Sequence, residues 1–341
     1  MLQELESLPD GLLELEATQL ADRLAGPTLI HLPGRQPAPL FVSVLMHGNE
    51  TVGWDAVTRL LARYAGGKQL PRAMSLFIGN VSAAARGLRR LEAQPDYNRV
   101  WPSSETTGTP EHAMMTQVVE IMERRRPFAS VDVHNNTGIN PHYACVNRLD
   151  SQFLHLANLF GRIVVYFLRP RGVQSMAMAA LCPAVTLECG KVGQAHGVEH
   201  ALEYLDACLH LTEHPQHPIV DQDIDLFHTV AQVKVPDRIS FSFTSDHADI
   251  LFAPDIDHLN FRELPAGTVL GSVNGAGEIA FEVRDETGRD VIDRYFRLDD
   301  SQICLRRPVM PSMLTVDENV IRQDCLCYLM ERYDSHLHDG D

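Results

Sequence analysis

The sequence predicts an α/β protein in which a mixed sheet is flanked by helices and followed by a smaller C-terminal β domain. Up to about residue 214, short apolar segments alternate with longer amphipathic ones. Such alternation is typical of a largely buried sheet with helices on both faces. From residue 219 to 310 the segments are short, alternate between apolar and polar residues, and are separated by Gly- and Pro-containing turns. This second texture indicates a small β domain.

The helices and strands of the first region can be delimited in order along the chain. A helix is predicted first, over residues 12–24, because an amphipathic segment follows the Pro9-Asp10-Gly11 break. The predicted strands cover residues 40–46, 74–80, 129–134, 142–147, 163–168 and 184–188. The predicted helices that follow them cover residues 51–64, 111–125, 151–160, 175–181 and 198–213. In sheets of this kind the binding crevice lies at the carboxyl ends of strands.

A linker separates the two regions. The segment His214-Pro215-Gln216-His217-Pro218 contains two prolines, which stop a helix. We therefore expect a first domain over residues 1–214, a small β domain over 219–310 and a C-terminal segment over 311–341. Turn signals at Pro265-Ala266-Gly267 and Asn274-Gly275 divide the β domain, and residues 320–333 could form a final helix.

Composition excludes several classes of partner. The formal net charge is −16 at pH 7, which argues against nucleic acid and membrane surfaces because both attract basic patches. A small anionic substrate stays compatible, since a few arginines in a cleft can outweigh a diffuse charge. The N-terminus lacks the pattern of a signal peptide, and no apolar run approaches the roughly 20 residues that span a bilayer. Seven irregularly spaced cysteines fit a reducing compartment, so we expect a cytoplasmic protein.

Candidate metal ligands stand at the ends of two apolar strands. His47 and Glu50 follow the first of them, three positions apart, where a helix is predicted to begin. His134 ends another strand, and Asp132 shares its face and could orient an imidazole. Two histidines and one carboxylate leave a coordination position open for water, which is the pattern of a catalytic zinc site. By themselves His47 and Glu50 are also compatible with a solvated helix face, so the pattern gains weight from His134.

Acid–base and anion-binding candidates lie elsewhere in the chain. Glu188 ends the apolar strand at residues 184–188, where a carboxyl group is hard to explain by solvation and could be a general base or a buried partner of an arginine. Residues 79–99 contain further candidates, among them Arg89, Arg90 and Arg99. An arginine near a metal can stabilise an oxyanion, and another can clamp a carboxylate. Arg89 and Arg99 could also be ordinary surface arginines.

Four motifs in order carry a resemblance to a known family. They are His-Gly-Asn-Glu at 47–50, Gly-Leu-Arg-Arg at 87–90 with Asp-Tyr-Asn-Arg at 96–99, Asp-Val-His-Asn-Asn-Thr-Gly at 132–138, and Thr-Leu-Glu-Cys-Gly at 186–190. Together they resemble the aspartoacylase/succinylglutamate desuccinylase family, a branch of the zinc carboxypeptidase superfamily. The resemblance covers about residues 40–195 and, more loosely, the β domain. It implies a zinc-carboxypeptidase-like fold.

The resemblance also implies roles for single residues. One Zn²⁺ per chain would be bound by His47, Glu50 and His134, and Glu188 would act as general base and acid. Asn98 and Arg99 match the pair that holds the substrate carboxylate. Arg89 matches the arginine that stabilises the oxyanion, while Arg90 stays an alternative because the spacing to the Asn-Arg pair is longer here.

One position departs from the family pattern. Aspartoacylases carry a further substrate-binding arginine before the catalytic glutamate, at a position that Met178 occupies here. Arg169 and Arg171 lie nearby but too early in the chain to match without a gap. A substrate with two carboxylates, such as N-acetylaspartate or succinylglutamate, is therefore in doubt.

The predicted function is a zinc-dependent hydrolase that cleaves the amide bond of an N-acyl amino acid or a similar small carboxylate-bearing amide. Its partner would be this small molecule, with no nucleic acid and no membrane, and the sequence leaves a homo-oligomer open. One alternative is a zinc carboxypeptidase that acts on a short peptide. An alternative of another class is a catalytically inactive zinc-dependent binding protein.

Overall fold

The structure is a computed structural model that describes residues 1–274 and 279–333. These residues form two compact units. The first unit comprises Met1–Asn135, His142–Tyr166 and Pro170–Asp225, and the second comprises Asn136–Pro141, Phe167–Arg169 and the chain from Leu226 onwards. The predicted division at residues 214, 219 and 310 stays a prediction. The Asn274-Gly275 turn and the last eight residues of the predicted C-terminal segment fall wholly or partly outside the described residues.

The first unit is built on a mixed sheet. Its strands are β1 (Gln3–Leu5), β2 (Thr28–Leu32), β3 (Gly34–Val44), β4 (Leu70–Ile78), β5 (Ala129–Asn136), β6 (Tyr143–Val146), β7 (Ile163–Tyr166) and β8 (Ala184–Lys191). Their order is β1-β2-β4-β3-β5-β8-β6-β7. β3 is parallel to both β4 and β5, whereas β6 is antiparallel to β8. The predicted mixed α/β architecture is thus confirmed.

Helices of the first unit connect these strands. They are α1 (Val52–Ala62), α2 (Val81–Ala84), α3 (Pro110–Arg125), α4 (Ser151–Asn158), α5 (Gln174–Met178) and α6 (Ala195–His210). The start of α3 shows why such helices begin where they do. The Thr109 hydroxyl accepts a hydrogen bond from the His112 backbone N–H, and Pro110 occupies the first turn, where its missing N–H costs nothing. No helix in the described part of the chain has the length and hydropathy needed to span a bilayer.

The second unit is mostly β structure. β9 (Asp225–Lys234) pairs antiparallel with β13 (Glu282–Asp285) and with β17 (Cys327–Arg332), which also pairs with β16 (Met310–Ser312). A separate sheet has the order β10 (Phe241–Ser242), β11 (Ile250–Phe252), β12 (Val269–Val273), β15 (Gln302–Leu305) and β14 (Phe296–Asp299). Two short helices complete it, α7 (Ile292–Tyr295) and α8 (Glu318–Gln323). The predicted β texture of this region is confirmed.

Both ends of the chain differ from the prediction. The helix predicted over residues 12–24 is replaced by two 3₁₀ helices, Leu12–Glu14 and Ala17–Asp22, because Leu15 and Glu16 are extended between them. The helix predicted over residues 320–333 is also wrong: α8 ends at Gln323 and β17 follows. β17 has strands on both sides and a run of four buried residues, so it lacks the alternation that marks a strand in sequence.

Candidate active site

The His47 segment leaves β3 through a strained turn. Leu45 has a left-handed backbone with φ of 57°, which is unusual for a leucine and redirects the chain before His47. Gly48 then lies against α2, and a Cβ added to it would be 2.2 Å from the Ala84 backbone nitrogen. Its N–H donates a hydrogen bond of 3.0 Å to the Arg89 carbonyl. The loop therefore needs glycine here, and it ties His47 to the Arg89 segment.

The three predicted metal ligands converge. Nδ1 of His47 lies 2.8 Å from one Glu50 carboxylate oxygen, and Nδ1 of His134 lies 2.7 Å from the other. The ligand atoms of the three residues lie within 4.8 Å of one another, and all three side chains are buried. The sheet brings them together, because β3 and β5 are parallel neighbours whose carboxyl ends lie at one edge.

A second carboxylate lies behind each imidazole. His47 Nε2 is 3.0 Å from Asp96 Oδ1, and His134 Nε2 is 2.8 Å from Asp132 Oδ2. The Ser43 hydroxyl donates to the other Asp132 oxygen at 2.6 Å, which fixes that carboxylate. Such a partner favours the proton on Nε2 and leaves Nδ1 as the ligand atom. Two nitrogens and one carboxylate oxygen oriented in this way fit a catalytic zinc ion.

The electrostatics of the site favour a cation. Burial raises the pKa of the Glu50 carboxyl, but His47 and His134 outweigh burial and hold it below its usual range. Burial likewise raises the pKa of Asp96, yet His47 and Arg89 bring it well below its usual value. Burial lowers the pKa of His134, and Asp132 and Glu50 more than compensate, so that it lies well above normal. Glu50 and Asp96 therefore keep their negative charge, which attracts a cation.

The two adjacent arginines have different environments. Arg89 directs its guanidinium into the site, where Nη1 lies 3.2 Å from Glu50 Oε1 and Nη2 lies 3.0 Å from Asp96 Oδ2. Arg90 instead donates to the Gln94 carbonyl at 2.8 Å. Of the two sequence candidates for the oxyanion arginine, Arg89 is therefore the one beside the ligand cluster.

The predicted substrate-binding pair follows in the same segment. Asn98 is buried, and its side-chain amide donates to Asp132 at 3.2 Å while its oxygen accepts from the Gln174 backbone N–H at 2.9 Å. Arg99 is half-buried, with Nη1 donating to the Asn98 carbonyl at 2.8 Å. Asn98 thus connects the carboxylate behind His134 with the first residue of α5.

Glu188 lies within β8, paired with Tyr143 of β6, and is 6% exposed. Burial raises the pKa of the thiol of Cys189, the next residue, and the charges of Glu188 and Glu50 raise it further. Asn135 connects this strand with the ligand cluster. Its N–H donates to Glu50 Oε2 at 3.2 Å, and its side chain donates to the Gly190 carbonyl at 2.9 Å.

Met178, the position at which a further arginine was expected from the family pattern, lies in the core. Met178 is fully buried at the end of α5. Arg171 is exposed. Arg169 belongs to the second unit, where its Nε donates to the Glu286 carbonyl at 2.9 Å.

Three residues of the site were not assigned from sequence. Asp96 contacts both His47 and Arg89, Asn135 contacts Glu50, and Ser43 fixes Asp132. Asp96 and Asn135 could have been proposed as site residues, because they lie inside the motifs quoted above. For Ser43 the sequence offered only that it is a polar residue inside an apolar strand.

Comparison with known proteins agrees with this geometry. The family model described as the succinylglutamate desuccinylase/aspartoacylase catalytic domain matches residues 39–210. The fold resembles succinylglutamate desuccinylase from Vibrio cholerae, with a TM-score of 0.57, 15% identity, and coverage of 88% of this chain and 84% of that one. For succinylglutamate desuccinylase from Chromobacterium violaceum the TM-score is 0.54 and the identity 16%, with coverage of 88% of this chain and 86% of that one. For murine aminoacylase 3 the TM-score is 0.56 and the identity 15%, with coverage of 88% of this chain and 96% of that one. No curated protein sequence matches the chain.

Proposed function

The chain belongs to the succinylglutamate desuccinylase/aspartoacylase family, and from that membership we propose that it is a zinc-dependent hydrolase of N-acyl amino acids. The observation that carries the proposal is the convergence of His47, Glu50 and His134, with a carboxylate behind each imidazole. All seven cysteines are buried free thiols, which supports a reducing compartment such as the cytoplasm.

Zinc is the ion that this donor set favours, because two imidazole nitrogens and one carboxylate oxygen are typical ligands of hydrolytic zinc. When bound, it would act as a Lewis acid towards the scissile carbonyl and the attacking water. Asp96 and Asp132 would hold the two imidazoles in orientation. With only three protein ligands, the ion would keep a coordination position open for water.

The remaining roles belong to side chains of the first unit. Glu188 would take a proton from the attacking water and deliver it to the leaving nitrogen, since Asn135 joins its strand to Glu50. Arg89 would donate hydrogen bonds to the developing oxyanion, because its guanidinium already lies beside the ligand cluster. Arg99 would pair with the substrate carboxylate, and Asn98 would hold that arginine's segment against Asp132 and α5.

The test is a substrate panel on zinc-loaded protein. N-acetyl derivatives of neutral, acidic and basic amino acids, together with dipeptides, would be incubated with the protein, and amine release would be measured. We expect release from N-acetyl amino acids that requires one equivalent of metal. Release from dipeptides alone would point to a carboxypeptidase, and no release from any substrate would contradict a hydrolase.

Glu188→Gln separates chemistry from binding. The amide is nearly the same size but cannot carry the proton, so we expect zinc content and fold to be retained while kcat falls about 10²–10⁴-fold. The matched control is Glu199→Gln, whose side chain is exposed on α6 and pairs with Arg59. Near wild-type turnover by Glu188→Gln would show that another residue is the base.

A further inference from the structure

A short chain of hydrogen bonds lies on the Glu188 face of β8. Thr186 and Glu188 are two residues apart on the strand, so their side chains share one face. The Thr186 hydroxyl lies 3.0 Å from the Ser175 hydroxyl on α5, which lies 2.8 Å from Asn147 Oδ1. We call Thr186, Ser175 and Asn147 the hydroxyl row. Ser175 is fully buried, whereas Thr186 and Asn147 each keep 7% exposure.

The direction of these bonds determines what Thr186 can do. Asn147 Oδ1 can only accept, so the single Ser175 proton is donated to it. Thr186 must then donate its own proton to Ser175. Its Oγ1 is left with acceptor capacity only, and no described residue donates a hydrogen bond to it. The row therefore presents an acceptor, beside Glu188.

The row lies beside the segment that is proposed to hold the substrate carboxylate. Gln174, the residue before Ser175, donates its backbone N–H to Asn98 Oδ1 and its side-chain amide to Ser130 Oγ at 2.8 Å. The Gly172 carbonyl accepts from the Trp101 N–H at 3.0 Å. These bonds fix α5 against the Asn98-Arg99 segment. Through Ser175, α5 therefore connects the row with the segment proposed to hold the substrate carboxylate.

From this geometry we propose that Thr186 Oγ1 accepts a hydrogen bond from the side chain of the substrate amino acid. The preferred substrates are then N-acyl amino acids whose side chain carries an N–H or O–H donor, an inference that rests on the proposed function. The surroundings favour this class over a second carboxylate. The row is uncharged, burial and Glu188 raise the pKa of the neighbouring Cys145 thiol so that it stays neutral, and Glu188 itself would repel an anion.

Three substrates of nearly equal shape test the proposal. N-acetyl-asparagine offers a donor, N-acetyl-leucine offers none, and N-acetyl-aspartate offers a second anion. We expect kcat/KM for the asparagine derivative to exceed that for each of the others by at least about tenfold, because an acceptor left without its partner in a buried site is costly. Thr186→Val should bring the asparagine-to-leucine ratio close to one, and Thr186→Ser should keep it.

The control is Thr58→Val, which makes the same change on α1, where the hydroxyl donates to the Asp55 carbonyl. It should leave the ratio as in wild type. A wild-type ratio near one, or a ratio that Thr186→Val does not change, would overturn the proposal while hydrolysis itself stood.

A binding measurement separates this inference from the proposed function. Free asparagine and free leucine would be titrated calorimetrically into zinc-loaded wild type and Thr186→Val. Asparagine should bind wild type at least about tenfold more tightly than leucine, with the difference lost in the variant. This result would support the row even if no N-acyl amino acid were hydrolysed. Equal affinities, or no binding of asparagine, would overturn it.

Discussion

Arg89 and Arg90 are adjacent in the chain, but only Arg89 faces Glu50 and Asp96, while Arg90 bonds to the Gln94 carbonyl. We therefore expect Arg89→Ala to lower kcat about 10²–10³-fold, as the loss of an oxyanion donor does. Arg90→Ala is the matched control and should stay within about threefold of wild type, as expected for a side chain away from the chemistry. The reverse pattern, measured as kcat on the best substrate of the panel, would assign the oxyanion role to Arg90.

The sequence could predict only part of the site. It predicted that His47, Glu50 and His134 come together, because polar side chains at the ends of apolar strands need an explanation. The choice between Arg89 and Arg90 was not identifiable, because it depends on the turn that carries them. Ser43 could not be assigned either, since its role exists only once β3 and β5 are paired and Ser43 lies opposite Asp132.

At the scale of an element, the β3–α1 loop depends on the close approach of Gly48 to α2. Gly48→Ala would place a methyl group 2.2 Å from a backbone atom of Ala84, so the loop must move. We expect a loss of about 1–3 kcal/mol in the free energy of unfolding and weaker zinc binding, because His47 is the preceding residue. Chemical denaturation without metal and calorimetric zinc titration would measure the two effects.

Gly161→Ala is the control for this change. An added Cβ at Gly161 meets nothing within 4 Å, and its backbone is not left-handed. Its effect should be within about 0.5 kcal/mol. Equal stability and zinc affinity of Gly48→Ala and wild type would show that the loop tolerates the shift.

The contact of His142, the residue before β6, with α6 predicts that stability depends on pH. His142 Nδ1 lies 2.8 Å from His200 Nδ1, and the His142 ring stacks on His196 at 5.0 Å. Burial, followed by His200 and His196, lowers the pKa of His142 to about 4. Between this value and the ordinary histidine pKa near 6.5, the unfolded chain binds a proton that the folded protein does not.

Stability from this contact is therefore complete above about pH 6.5 and is lost as the pH falls towards 4. His142→Asn removes the titration and keeps a polar group near the Nδ1 position. We expect the melting temperature of wild type to fall more between pH 7 and pH 5 than that of the variant. Parallel pH profiles for the two proteins would exclude His142 as the cause.

Element prediction failed where local pattern and tertiary pairing differ. Residues 12–24 have helical spacing, yet Leu15 and Glu16 are extended and split the segment. Residues 327–330 are all buried, so nothing local identifies them as a strand between β9 and β16. The central strands were predictable because long apolar runs bounded by Gly, Pro and Asn leave few other conformations.

At the scale of the whole molecule, each unit has a buried core of its own. The second unit buries one cluster that includes Phe252, Phe281, Tyr295 and Leu329. The first unit buries Trp54, Phe77 and Trp101 among others. A separate core in each unit is what independently folding domains require, while the predicted boundaries at residues 214, 219 and 310 stay a prediction.

The buried cysteines make it possible to measure how fast each of the two units opens. A thiol-reactive dye cannot modify a buried sulfur, so the labelling rate of each cysteine reports how often the structure around it opens. The first unit contains Cys145, Cys182, Cys189 and Cys208, and the second contains Cys304, Cys325 and Cys327.

We expect mass spectrometry of labelled peptides to separate the cysteines into two rate groups, one for each unit. Zinc should slow only the group that shares its unit with His47, Glu50 and His134, because a ligand stabilises the state that binds it. A single rate for all seven thiols would mean that the chain opens as one cooperative whole. If there are two rate groups, the labelling pattern measured at each purification step would report which unit unfolds first when metal is lost.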